Sequence, residues 1–327
     1  MTRSIGLVLG AGGGPGWSYL VGTMAAVQAV TGWDPRSADL VIGTSAGAGV
    51  GAQLRAGLSA PDQFATQVGD PLSPEGETIV GRAAAVQRPE SESSEGRSQR
   101  PASPGLIVRS LAAWPPRPGL LLAGAIPRGT HSNKPLGDRV AALAGRKWPT
   151  EPYWAVAVRQ RDGRRVVFGR DDVKTDIGSA VRASSAAPGW FEPMSVNGID
   201  YVDGGVWSAT NADLAAGLGF DAVVVVAPLS NAAGLTAHIS GNAVRRAYHR
   251  RCLVTEAALI RHGGSAVYVI EPDATMVARL QAVPRDGSRR GETTEAAFSA
   301  GVRRLEGDPE LAKLLADLAE TTPPGPT

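Results

Sequence analysis

Ser45 stands in the run Gly43-Thr44-Ser45-Ala46-Gly47, with small residues on both sides and a glycine two places away in each direction. This is the composition of a nucleophile elbow, a sharp strand-to-helix turn that lifts a serine hydroxyl to the edge of a sheet. The glycines permit the turn. A helix starting near Ala46 would aim its positive end at an alkoxide or a developing oxyanion. The chemistry such a serine performs is acyl transfer. The same five residues also suit an ordinary turn in which Ser45 merely caps the helix.

A second glycine cluster lies upstream, Gly10-Ala11-Gly12-Gly13-Gly14-Pro15-Gly16. A dinucleotide site wants G-x-G-x-x-G, but counted from Gly10 the last place is Pro15; Asp34 or Asp39 does supply an acid at the right remove. A phosphate loop fits less well, because no Gly-Lys-Ser/Thr follows. An oxyanion hole is the third reading, since successive glycine N–H groups at a helix start can hold a negatively charged oxygen. A plain tight turn is the fourth. The loop is one strand-helix unit before Ser45, and adjacent parallel strands deliver their loops to the same carboxyl edge. That juxtaposition favours the oxyanion reading.

Asp203-Gly204-Gly205 follows the apolar run Ile199–Val202. An aspartate leaving a strand into two glycines can stand close to a ligand and act as the base for Ser45. It can equally be a turn aspartate. Of the four histidines, His131, His238, His249 and His262, none sits in a glycine-framed turn after a strand, where a triad histidine belongs. Each is expected at the surface or at a cap, and the weight shifts to an aspartate acting directly. No two have metal-ligand spacing, so neither a metal nor a cofactor is expected.

These groups need elements to position them. Ile5–Leu9 and Asp39–Gly43 read as buried parallel strands, followed by helices over Trp17–Val30 and Ala46–Gly57. Pro135–Ala144 and Asp176–Ala186 read as helices. Tyr153–Arg159 and Arg165–Gly169 pair around Asp162-Gly163, and Met194–Val202 folds around Asn197-Gly198. Asp221–Val226 is a buried strand, Ala237–Ile260 a long helix and Ala266–Ile270 a strand, with one or two helices before a Pro-rich tail at 322–327. The alternation predicts a three-layer α/β/α sandwich with a mainly parallel sheet.

From about Asp70 to Pro118 the pattern breaks. RPESESSEGRSQRPASPG has almost nothing to bury, so this stretch is expected to be disordered or a lid-like insertion. Next to it, Gly119–Ile126 is apolar enough either to touch lipid or to be buried. The 327 residues carry 33 basic and 31 acidic side chains, a net charge of +2 that gives no general field for nucleic acid. The basic residues are nearly all Arg, which reads as codon bias before phosphate recognition. The single Cys252 excludes an internal disulfide framework. No stretch approaches the ~20 apolar residues that cross a bilayer. The N-terminus starts like a signal peptide but dissolves into glycines without a cleavage box. A cytoplasmic protein, peripheral at most to a membrane, is expected.

The three glycine-framed features, in this order, resemble the patatin-like phospholipase family. Ala183-Ser-Ser-Ala-Ala-Pro-Gly189 matches the segment preceding the family's aspartate, and Tyr201-Val-Asp-Gly-Gly205 the aspartate block itself. The resemblance runs from about Ser4 to Leu229. It implies a patatin-like catalytic domain over 1–230, with residues 231–327 completing the same domain. It implies a Ser45–Asp203 dyad and an oxyanion hole from Gly12, Gly13 and Gly14, joined by Gly16 and Ala46, with Gly43, Gly47, Gly204 and Gly205 supporting the turns. The implied activity is hydrolysis of an acyl ester of a lipid. Two places depart from the family pattern: Pro15 stands where Arg is usual, and Tyr19 where His is common. A catalytically silent lipid-binding protein of the same fold, or a nucleotide-binding protein, are the competing readings.

Overall fold

A computed structural model describes residues 3–84, 86, 103–112, 118–231, 241–283 and 288–321. The chain runs β1 (Ile5–Leu9), α1 (Gly13–Thr31), β2 (Leu40–Thr44), α2 (Ala46–Arg55), α3 (Ala60–Val68) and α4 (Pro74–Gly81). It continues with α5 (Pro104–Ala112), α6 (Pro118–Ala125), α7 (Lys134–Leu143), β3 (Tyr153–Arg159), β4 (Arg165–Phe168) and α8 (Ile177–Ser184). The last third holds β5 (Met194–Val196), β6 (Ile199–Asp203), β7 (Ala222–Val226), α9 (Gly241–His262), β8 (Ala266–Ile270), α10 (Ala274–Ala282), α11 (Arg290–Glu306) and α12 (Pro309–Thr321).

All eight strands join one sheet, linked in the order β5-β6-β3-β2-β1-β7-β8 with β4 also on β3. The β3-β2-β1-β7-β8 part is parallel, whereas β4, β5 and β6 run antiparallel to their neighbours. Successive residues of a strand face opposite sides, and the sheet uses both. Leu7, Leu9, Val41, Ala155 and Val224 pack under α1, α2, α8 and the C-terminal helices. Val8, Ile42, Val156, Val223 and Val225 pack under α9 and the 212–215 turn. The central strands therefore read as continuous apolar runs, and the architecture is the expected α/β/α sandwich.

One pairing decides the geometry of the site. β4 covers Ala155–Val158 along one edge of β3. β2 pairs with Tyr153–Val156 and β6 with Ala157–Arg159, and each overlaps β4, so both must use the opposite edge. The two strands meet there head to head, with Thr44 beside Val156 and Asp203 beside Ala157.

Several expectations need correction. Within the 70–118 stretch, α4 and α5 are ordered helices rather than a disordered insertion. They form because they find apolar partners elsewhere: Ile79 packs with Leu58 and Leu143, and Leu106 with Leu120, Val158 and Val202. Residues 87–102 and 113–117 of that stretch lie outside the described residues, as does the 322–327 tail. Three helices, not one or two, follow β8. The helix α3 had no counterpart in the sequence reading. Among the described residues, no helix is long and apolar enough to cross a membrane.

Candidate active site

The register brings three loops to one edge. Leu9 of β1 lies beside Gly43 of β2 and beside Val226 of β7, so the glycine loop, the Ser45 turn and the turn after β7 all leave the sheet together. Ser45 itself has φ 55° and ψ −117°, a left-handed conformation rare for serine. Such strain costs roughly 1–3 kcal/mol and persists only where the surroundings enforce it. Here they do. The Ser45 N–H donates to Ser184 Oγ at 2.9 Å. A side chain at Gly47 would stand 1.9 Å from the Leu9 carbonyl oxygen, so α2 can start directly against β1 only with glycine there. The Ser45 side chain makes no capping hydrogen bond to α2, which disposes of the simple capping role.

Asp203 ends β6 on the same β3 edge and is buried, as is Ser45, each at 7% exposure. Its carboxylate accepts a hydrogen bond from the Gly205 N–H at 2.7 Å, and the Ser45 hydroxyl lies near enough to favour its ionised form. Asp203 is thus a turn-forming aspartate as well as the partner of Ser45. Burial pushes its carboxyl up to about 6, with the Ser45 hydroxyl and the Gly205 N–H pulling the other way. Its own N–H donates to the Ala186 carbonyl at 3.0 Å, which ties it to the Ala183–Gly189 segment. The following turn is close-packed: a Cβ at Gly204 would lie 2.3 Å from the Val156 oxygen.

In the glycine loop, Gly10 and Ala11 spend their N–H groups on the Val226 and Ala209 carbonyls. Gly12 caps α1 with extended backbone, and Gly13 has φ 60°. The N–H groups of Gly12, Gly13 and Gly14 donate to no backbone carbonyl among the described residues, and the last two residues are exposed. They are the first donors of a helix, which have no partner within it. Gly16 departs from the expectation. Its N–H donates to the Gly12 carbonyl at 3.0 Å, closing the first turn of α1 instead of facing a ligand. Ala46 sits at the start of α2, where the first N–H groups likewise lack helical acceptors.

Two residues that sequence reasoning passed over join these loops. The Asn211 amide donates to Thr44 Oγ1 at 3.1 Å, to the Gly204 carbonyl at 3.3 Å and to the Ser208 carbonyl at 2.7 Å. It bridges the neighbour of Ser45 to the neighbour of Asp203. Ser184 holds the Ser45 amide from below and donates to the Val156 carbonyl at 2.6 Å. Neither carries a local sequence signal beyond the Ala183–Gly189 match.

The histidines need one correction. His131 stacks on Trp190 and His262 is exposed near the end of α9. His249, however, is half-buried and lines a small cleft with Gly10, Ala11, Thr210, Pro228 and Ser230. Burial, and then Arg245 and Arg246, push it down to about 4. It is neutral at physiological pH, and its Nδ1 has no hydrogen-bond partner. His238 lies outside the described residues. Tyr19 is buried to 3% exposure, and burial together with Glu271 and Asp273 holds its hydroxyl far above the usual phenol range. Tyr19 also lines a cavity of about 190 Å³ with Glu271, Asp273, Arg303 and Arg304.

The sequence model for patatin-like phospholipase matches residues 7–216. No curated protein matches the chain. Among solved structures, the crystal structure of VipD from Legionella pneumophila is similar, at 15% identity and a TM-score of 0.42, covering 94% of this chain and 67% of that one.

Proposed function

The chain belongs to the patatin-like phospholipase family, and from that premise we propose that it hydrolyses an acyl ester of a lipid through Ser45 and Asp203. The family supports lipid hydrolysis; the dyad and the bond attacked are our reading. The observation that carries it is the meeting of the Ser45 turn and the buried Asp203 on one edge of β3, beside a loop of unpaired glycine N–H groups.

Asp203 takes the Ser45 proton as Oγ attacks the ester carbonyl. The carbonyl oxygen becomes an oxyanion, held by N–H groups of Gly12, Gly13 and Gly14 and by the start of α2. As the tetrahedral adduct collapses, the carbon–oxygen bond to the alcohol breaks and Asp203 returns the proton to the leaving alkoxide. Water then attacks the acyl-enzyme, giving its proton to Asp203. The acid leaves, and Ser45 takes the proton back. A carboxylate at its ordinary pKa is a weak base, so the raised value of Asp203 suits the task. Pro15 supplies neither charge nor N–H, so within the loop only the glycines donate to the hole; one such donor is typically worth ~10²–10³ in rate.

A fluorophosphonate probe tests the proposal. Covalent labelling should occur at Ser45 and vanish in Ser45→Ala, together with hydrolysis of a chromogenic acyl ester. Undiminished hydrolysis by Ser45→Ala would sink the assignment. Lipid binding without any labelling would leave a silent protein of the same fold.

A further inference from the structure

The α5–α6 pair has a buried inner face and an apolar outer one. Inside, Leu106, Leu120 and Ala123 pack on Val158, Val202 and Val206. Outside, Val108, Leu111 and Leu122 are 65%, 71% and 63% exposed, and Leu121 is 40% exposed. Val108 and Leu111 are three apart and share a helix face. These four make up more than a third of the eleven large hydrophobic side chains exposed among the described residues, yet they sit on two short neighbouring helices. Single exposed hydrophobics need no explanation, but a cluster does.

The patch borders the candidate site. A Cβ at Gly119, the second residue of α6, would stand 2.3 Å from the Val206 carbonyl oxygen. Val206 is only three residues past Asp203. The start of α6 thus packs on the turn that carries Asp203, and a surface seated on the outer face would lie one helix diameter from it.

Its charge is one-sided. From Ser103 to Gly137 the described residues include Arg109, Arg128 and Lys134 and no Asp or Glu, with Arg128 paired to Asp200 at 2.6 Å and Lys134 to Asp138 at 2.5 Å. Arg109 is exposed on α5, with its stem near Gly163 at the β3–β4 turn. Arg161 and Arg164 are exposed at that turn, and the intervening Asp162 is already engaged by Arg159 at 2.5 Å. An apolar face rimmed by arginine matches a lipid surface with anionic head groups: the side chains enter the interface and the guanidinium groups meet phosphate.

We propose that the outer face of α5–α6 docks on an anionic phospholipid bilayer and holds the Ser45 site against it. This rests on the lipid-hydrolase reading above, although binding can be measured without turnover.

The full chain is sedimented with vesicles of phosphatidylcholine alone and of phosphatidylcholine mixed with phosphatidylglycerol. Wild type should bind the mixed vesicles more tightly, and salt should weaken that binding. Leu111→Glu/Leu122→Glu should bind about tenfold more weakly or worse. The double variant should keep its melting temperature, its labelling by fluorophosphonate and its hydrolysis of a soluble short-chain ester. Hydrolysis of vesicle lipid should fall in step with binding. Equal binding by the double variant, or no binding by wild type, overturns the proposal. So does a wild-type dimer that the double variant dissociates while neither binds vesicles, because the face would then be covered by a second copy. Equal binding to neutral and anionic vesicles overturns the charge selection. Failure of the labelling alone strikes at the hydrolase reading and leaves the docking measurement standing.

Discussion

The backbone N–H of Ser45 donates to Ser184 Oγ at 2.9 Å, and that hydroxyl donates onward to the Val156 carbonyl at 2.6 Å. One buried side chain therefore clamps the strained turn of β2–α2 onto β3, the strand whose edge also carries Asp203. It also consumes the Ser45 N–H, so in the proposed mechanism the oxyanion donors are those of the glycine loop and the start of α2.

Ser184→Ala tests the clamp. The substitution leaves a buried N–H without an acceptor, which costs about 1–3 kcal/mol. Denaturant unfolding should show a loss of that size. If the clamp positions Ser45, kcat should fall more than KM rises, because only the reacting oxygen is displaced. An unchanged kcat would make Ser184 purely structural.

Asn211 should behave similarly from the other side. Its φ of 51° is one that glycine also accepts, so Asn211→Gly keeps the backbone and removes the amide that joins Thr44 to Gly204. The expected result is a loss of about 1–3 kcal/mol from the unpaired buried groups, with labelling of Ser45 slowed beyond what the lost stability explains. Arg165 also bonds the Asn211 carbonyl oxygen, at 3.3 Å, and pairs with Asp213 at 2.7 Å. Arg165→Ala should therefore be the milder variant.

The sequence made the alternating strands and helices legible, along with the glycine-framed turns around Ser45 and Asp203, because both depend on local pattern. What it left hidden is non-local. That β2 and β6 share one edge of β3 follows only from β4 occupying the other. Ser184 and Asn211 are single polar residues whose role appears once their distant partners are in place. The stretch from Asp70 to Pro118 looked unable to bury anything, yet Ile79 and Leu106 bury themselves against residues far along the chain. Ser59-Ala60-Pro61-Asp62 was a readable helix start for α3, with Ser59 capping Asp62.

Burial of Asp203 predicts opposite pH trends for activity and stability. As a base it must be ionised, so kcat/KM should fall about tenfold per pH unit below about pH 6. For stability, a carboxyl that titrates near 6 when folded and 3.8 when unfolded favours the native state while protonated. That contribution is full below the unfolded value and is lost as pH rises through 6. Asp203→Asn should thus abolish turnover while stabilising the fold above pH 6, by up to about 3 kcal/mol. The gain should fade toward pH 4. Melting curves across that range check it, and a destabilised variant at pH 8 would contradict it.

Two glycine-to-alanine changes separate packing from catalysis. Gly47→Ala drives a methyl to within 1.9 Å of the Leu9 carbonyl oxygen, where neither backbone can yield cheaply. Overpacking usually costs 1–3 kcal/mol and more against rigid backbone, so a loss of about 3 kcal/mol or more is expected, with activity falling alongside. Gly14→Ala differs in every respect. A Cβ there meets nothing within 4 Å, and Gly14 lies within α1 without a positive φ. Pro15 follows directly and disfavours helical backbone at a preceding residue with a Cβ, which offsets the entropic gain of alanine, so stability should change by less than about 1 kcal/mol. If the Gly14 N–H faces the reacting carbonyl, however, the new methyl crowds the space the substrate enters. Hydrolysis should then drop far more than the melting temperature moves, and full activity in Gly14→Ala would move the oxyanion donors to Gly12, Gly13 and the start of α2.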